Sequence, residues 1–130
     1  MKFITNTSDL AKFLNIKVKF DAIIKSISID TRSLKKDSLF IAIKGENFDG
    51  NDFVEDALAK GSNIVVADNK RFEKNKDKRI IFVNNSIKAL RKISNNIIKN
   101  YDGNVIAITG SNGKTTTTSI IGKTLKNNSK

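Results

Sequence analysis

Short, dense aliphatic runs alternate with helix-type periodicity along the first hundred residues, and no other feature constrains the fold as much. "SLFIAIK" from Ser38, "NIVVAD" from Asn63 and "RIIFVN" from Arg79 read as buried strands, and "SISID" alternates Ile27 and Ile29 with polar residues as another. Helical patterns lie between and around them. "NTSDLAKFLN" offers Thr7 and Ser8 as caps and puts Leu10, Phe13 and Leu14 at helical spacing. "DFVEDALAKG" predicts a helix started by Asn51 or Asp52 and closed by Gly61. Ser86 is placed to cap a longer amphipathic helix whose Leu90, Ile93, Ile97 and Tyr101 share one face. The mixed-sign stretch "NKRFEKNKDKR" reads as a solvated loop. Up to Tyr101 the pattern is that of a small α/β unit.

A second unit begins after "DGN". "VIAIT" predicts a strand, "GSNG" a tight turn, and "TTTTSIIGKTL" a helix, which sets a boundary near residue 102 and divides the chain into residues 1–101 and 102–130. In a phosphate-binding loop, backbone N–H groups of a glycine-rich turn point inward at phosphate oxygens, and the following helix offers its positive end to the same charge. Here Gly110 and Gly113 permit the turn, Lys114 brings a positive charge, and Thr115 brings a hydroxyl suited to Mg²⁺. Only Ser111 and Asn112 separate the two glycines, where the general motif has a longer spacing. A plain glycine turn between strand and helix therefore remains an alternative, as does an exposed polar surface for Thr116 to Thr118.

Composition narrows the chemistry. The 130 residues contain no cysteine and no histidine, which removes disulfides, thiolate metal sites and the commonest general base. Lys+Arg is 24 against Asp+Glu 13, a net charge of +11. The lysines are scattered, with no single basic stripe or nucleic-acid reading motif, so nucleic acid is not an expected partner. The N-terminus lacks a signal-peptide pattern and no run is apolar enough to span a membrane, so a soluble, cytosolic protein without membrane insertion is expected.

Two turns of the first unit carry residues suited to a ligand. Asp30, Thr31 and Arg32 follow one strand, and Lys44 and Gly45 follow the next, the positions where a small α/β domain meets its ligand. Thr31, Arg32 and Lys44 suit a phosphate or carboxylate, and Gly45 lets the backbone come close. Equally, Asp30 and Arg32 are spaced to pair with each other, with the glycines serving turn geometry.

Taken together, "DTRSLKKDSLFIAIKGENFDGNDFVEDALAKGSNIVVAD" and "ITGSNGKTTT" resemble the Mur ligase family, the ATP-dependent amide-forming enzymes of peptidoglycan synthesis. The shortened glycine spacing is that family's own form. The resemblance implies an α/β N-terminal substrate domain, then the first strand, phosphate loop and helix of a central ATPase domain. It implies ATP held by Gly110, Ser111, Asn112, Gly113, Lys114, Thr115 and Thr116, with Lys114 catalytic and Thr115 on Mg²⁺. It also implies a UDP-sugar near Thr31, Arg32, Lys44, Gly45, Phe48 and Asp49. "KGENFDGNDF" and "ITGSNGKT" look most like the member that joins D-Ala-D-Ala to UDP-N-acetylmuramoyl-tripeptide through an acyl phosphate. The member that adds the third amino acid and a non-catalytic UDP-sugar-binding module are the alternatives. Two positions depart from the pattern: Thr118 stands where lysine is usual, and Lys36-Asp37-Ser38 replaces Pro-Gly-Asp. On this resemblance the chain is expected to be an N-terminal fragment, inactive alone. Its last helix is expected to leave Ile120, Ile121 and Leu125 without the sheet they should pack on.

Overall fold

A computed structural model describes residues 4–128; the outermost residues of both expected units, 1–3 and 129–130, lie outside the described residues. The elements are α1 (Thr7–Leu14), β1 (Ser26–Ser28), β2 (Ser38–Ile41), α2 (Val54–Ala59), β3 (Ser62–Ala67), β4 (Ile80–Phe82), α3 (Ser86–Lys99) and α4 (Lys114–Asn128). All four strands run parallel in the order β1-β2-β3-β4. The α/β class expected from the sequence is what the chain adopts.

Strand side chains alternate between faces, so a strand buried on both sides must be apolar throughout. In β2, Leu39 and Ile41 join Leu10 and Leu14 of α1 and Ile93 of α3 on one face, while Phe40 meets Val54 and Ala57 of α2 on the other. In β3, Ile64 and Val66 take the first face and Val65 and Ala67 the second. β1 is an edge strand, and its expected apolar side is open: Ile27 and Ile29 are exposed. The layers are therefore α1 and α3, the sheet, and α2.

Several local expectations are corrected. The caps of α1 and α3 are Asn6 and Asn85, whose side chains accept from the N–H groups of Asp9 and Lys88. Thr7 and Ser86 instead lie one residue inside their helices and are buried, and the Thr7 hydroxyl donates to the Phe20 carbonyl at 2.8 Å. A 3₁₀ turn, Gly50–Phe53, capped by Asp49, precedes α2, and Gly61 closes the helix at φ 97°. The charged stretch after β3 is not solvated throughout: a 3₁₀ turn at Lys70–Phe72 buries Phe72 against the α2 face. Tyr101 falls outside α3 and is exposed.

The largest local difference is "VIAIT". Residues 105–109 form no strand, and Val105 and Ile106 are exposed. A strand exists only through its ladder to a neighbour, and no strand pairs with this segment among the described residues. The helix after it does form, as α4.

Candidate functional site

In a parallel sheet, the loops leaving the carboxyl ends of the strands share one edge, which is where α/β proteins bind ligands. A cleft of about 550 Å³ lies there, between the loops that follow β1 and β2. Ile29, Asp30, Thr31 and Arg32 form one wall, and Gly45, Glu46, Asn47 and Phe48 the other. Phe40 of β2 lies beneath, with Phe53 and Ile43 beside it. Thr31, Arg32, Gly45 and Phe48, chosen from the sequence, thus line a single cavity. Lys44 and Asp49 do not line it but bracket the second wall, paired across its base as an antiparallel bridge.

The first wall is stiffened by a charged fork. Arg32 donates from Nε to Asp30 Oδ1 at 3.0 Å and from Nη2 to Oδ2 at 2.7 Å, and its backbone N–H reaches Oδ1 at 2.9 Å. These bonds hold the Asp30 carboxyl down at about 2, the side-chain bond from Arg32 contributing most. The pairing that spacing allowed does form, and it leaves the guanidinium at the cleft mouth. Thr31 is buried, and its carbonyl accepts from Lys60 Nζ at 3.3 Å; Lys60 also donates to Asp56 at 2.9 Å and is the largest cause holding that carboxyl low.

The second wall is a turn closed by its own backbone: Gly45 N–H donates to the Phe48 carbonyl at 2.8 Å and Gly50 N–H to Ile43 at 2.9 Å. Gly50 is required by close approach, since a Cβ there would stand 2.5 Å from the Ile43 nitrogen. Phe48 is 74% exposed at the rim, and with Ile29 and Phe53 it gives the mouth an apolar border.

Behind this wall lies Asn51, which the sequence offered only as a helix start. It is buried, and its amide donates to Asp49 Oδ1 at 2.7 Å and Asp68 Oδ1 at 2.9 Å. Its side-chain oxygen accepts from the N–H groups of Asp68 and Asn69, both at 3.1 Å. Bonds from Asn51 hold the Asp49 carboxyl below the ordinary carboxylate range, the side-chain amide contributing most and the backbone N–H next. Partners 17 and 18 residues distant leave no trace in local spacing. The one available signal was an amide inside "DGND", where two carboxylates flank it.

The glycine loop stands apart from the cleft: none of Gly110 to Thr116 lines it. Gly110 has φ 151° and Gly113 φ 76°, backbone that side-chain-bearing residues rarely adopt, and the turn opens directly into α4 at Lys114. An α-helix leaves its first N–H groups without intrahelical partners and carries partial positive charge there. Loop and helix start therefore suit an anion.

The family model described as Mur ligase family, catalytic domain, matches residues 23–109. A UDP-N-acetylmuramoyl-tripeptide–D-alanyl-D-alanine ligase of Rickettsia prowazekii (strain Madrid E) is 39% identical, over 88% of this chain and 25% of that protein. A UDP-N-acetylmuramoyl-L-alanyl-D-glutamate–2,6-diaminopimelate ligase of Rickettsia conorii is 38% identical, over 78% and 21%. Among solved structures, the MurF ligase of Thermotoga maritima in complex with ADP matches with a TM-score of 0.62 at 34% identity, over 79% of this chain and 23% of that one. Fold and site define an α/β protein with a strand-end cleft, followed by a glycine loop that opens a helix. The chain belongs to the Mur ligase family. It spans about a quarter of the length of the curated relatives it matches.

Proposed function

We propose that the chain is the substrate-capturing N-terminal part of an ATP-dependent amide ligase of peptidoglycan precursor synthesis. The observation that carries this reading is the single cleft that gathers Thr31, Arg32, Gly45 and Phe48 at the ends of β1 and β2. In this reading residues 1–101 hold the UDP end of the substrate and residues 102–130 begin the ATP-binding domain. Asp30 fixes the Arg32 guanidinium at the mouth, ready for a phosphate. The apolar border of Phe48, Ile29 and Phe53 offers faces for a flat base, and Gly45 admits the backbone of its turn.

The reaction brings together two anions, a carboxylate and a triphosphate, so positive charge must stand where phosphoryl charge develops. Lys114 supplies it, and the N–H groups of the loop from Gly110 to Thr116 cradle the phosphates. The positive φ angles of Gly110 and Gly113 fit such a cradle. Thr115 is the hydroxyl that would hold Mg²⁺, and no three His, Cys, Asp or Glu side chains gather as a metal site among the described residues. Magnesium, when bound, neutralises phosphate charge beside the lysine. Such a reaction is cytoplasmic, and no helix among the described residues is long and apolar enough to cross a membrane.

The acceptor amine favoured here is D-Ala-D-Ala, with UDP-N-acetylmuramoyl-tripeptide as partner. The near-equal identity of the diaminopimelate-adding relative keeps addition of the third amino acid as the second reading. The test is phosphate release from ATP by the full ligase, comparing D-Ala-D-Ala with the tripeptide substrate against diaminopimelate with the dipeptide substrate. Turnover with the first pair, lost in Lys114→Ala, is expected; turnover with the second pair only would move the assignment. The 130 residues alone are expected to bind the UDP-linked substrate without turnover.

A further inference from the structure

Asn51 makes more hydrogen bonds than a helix start needs, and they converge from three directions. Its backbone N–H and amide both reach Asp49 Oδ1, at 2.9 and 2.7 Å. Its amide and its oxygen both engage the end of β3, at Asp68 and Asn69. Its carbonyl accepts from Arg71 Nη2. Asp68 extends the chain of bonds by accepting the Ser86 N–H at 3.0 Å, the first residue of α3. The side chain is 2% exposed, so each of these bonds replaces one that water would have made.

The position matters because of its neighbours. Gly50 and Phe53, on either side in sequence, line the cleft, and Asp49 closes the bridge to Lys44 at the base of the second wall. The wall itself is exposed from Lys44 to Phe48, so among the described residues its buried polar anchor on this side is Asn51. We propose that Asn51, acting with Asp68, is a positioning residue that sets the geometry of the Lys44–Asp49 wall and thereby the affinity of the cleft for its UDP-linked ligand. The inference rests on the reading of that cleft as the substrate site. Asn51 touches no ligand in this account; it fixes where Gly45 and Phe48 stand.

The bonding pattern can be broken and partly restored by exchange. Asn51→Asp places three carboxylates where one amide joined two, and both donated bonds are lost. Adding Asp68→Asn returns a donor across the contact with residue 68, while the repulsion at Asp49 stays. Binding of UDP-N-acetylmuramoyl-tripeptide by the 130-residue chain is measured by calorimetry, well below each variant's melting temperature. Asn51→Asp is expected to weaken binding by about tenfold or more, and the double variant to bind about threefold or more tighter than Asn51→Asp, since coupled partners are non-additive. Asp68→Asn alone keeps one of two accepting oxygens; it is the milder variant should Asn51→Asp not fold, and a threefold or larger loss is expected from it as well.

A lower melting temperature with unchanged affinity in the folded variants would make Asn51 merely structural and overturn the proposal. Absence of recovery in the double variant would overturn the role given to Asp68. If the wild-type chain binds none of the ligand, the substrate-site reading fails separately, and amide exchange at residues 45–48 decides the positioning claim. Faster exchange in Asn51→Asp that slows again in the double variant supports it; equal exchange in all three refutes it.

Discussion

The cleft and the glycine loop illustrate opposite ways of building a site. The cleft is made of side chains from two separate loops, held in place by a packed sheet below and the buried Asn51 behind. The loop is made of consecutive residues, Gly110 to Thr116, whose geometry lies in two glycine φ angles and a helix start. The first depends on tertiary structure throughout; the second is a local conformation that a short stretch of chain sets by itself. Damage to the core should therefore abolish the cleft and leave the loop's conformation intact.

The sharpest way to break that contrast is to hollow the core under the cleft. Phe40 is 1% exposed, packs on Val54 and Ala57, and also floors the cavity. Phe40→Ala is expected to cost about 3–5 kcal/mol in urea unfolding and to abolish binding of the UDP-linked substrate. Ile120→Ala on α4, where the side chain is 59% exposed, should change stability by no more than ~0.5 kcal/mol. Comparable losses from both substitutions would mean that α4 is packed as tightly as the sheet.

A smaller effect separates close approach from backbone freedom, the two reasons a glycine is needed here. Gly50 needs space: a Cβ would meet Ile43 at 2.5 Å. Gly50→Ala should cost about 1–3 kcal/mol as the turn shifts away from β2, and should weaken ligand binding in the same protein. Gly113 needs only its φ of 76°, with nothing near the added carbon. Gly113→Ala should thus leave the melting temperature of the sheet unchanged while weakening ATP binding in the full ligase. A large fall in that melting temperature would show the loop to be part of the packed unit.

The same contrast explains what the sequence disclosed. The strands β2 and β3 were legible because burial on both faces demands unbroken aliphatic runs, and the glycine loop because its residues are contiguous. Helix caps were misplaced by one residue, since Asn6 and Asn85 compete locally with the neighbouring Thr7 and Ser86, and only burial shows which hydroxyl turns inward. Residues 105–109 have the composition of a strand, yet composition cannot supply a ladder partner. Asn51 was hidden because its meaning lies in Asp68 and Asn69. The sequence did flag Lys36-Asp37-Ser38 as unusual, and there Asp37 takes φ 61°, a conformation that glycine adopts freely and Asp tolerates. Its side chain bonds Lys25 at 2.6 Å and Asn63 at 3.1 Å, compensation that a glycine would not supply. Asp37→Ala should accordingly lower the melting temperature more than Asp37→Gly, because alanine has neither the bonds nor the backbone freedom.

The smallest expected effect concerns the fork at the cleft mouth, and it tests whether this wall is set locally, as the loop is, or by the fold. The Asp30 carboxyl is depressed from an ordinary 3.8 to about 2, chiefly by the side-chain bond from Arg32 and next by the Arg32 backbone N–H. A depressed value means that the folded state favours the ionised form. The contribution is therefore complete above the ordinary value and fades as pH falls from 3.8 through about 2. Both partners are exposed, so the effect on stability is small and screened by salt. A carbon-detected NMR titration should place the Asp30 midpoint near 2 in the wild-type chain and return it toward the ordinary range in Arg32→Ala. Because the partners are two residues apart, part of the depression should survive in a short peptide spanning residues 28–34. A peptide midpoint equal to that of the folded chain would make this wall as local as the glycine loop. A midpoint at the ordinary value in the peptide would show that β1 and its turn, closed by Ser28 hydrogen-bonding Asp30, hold the fork in shape.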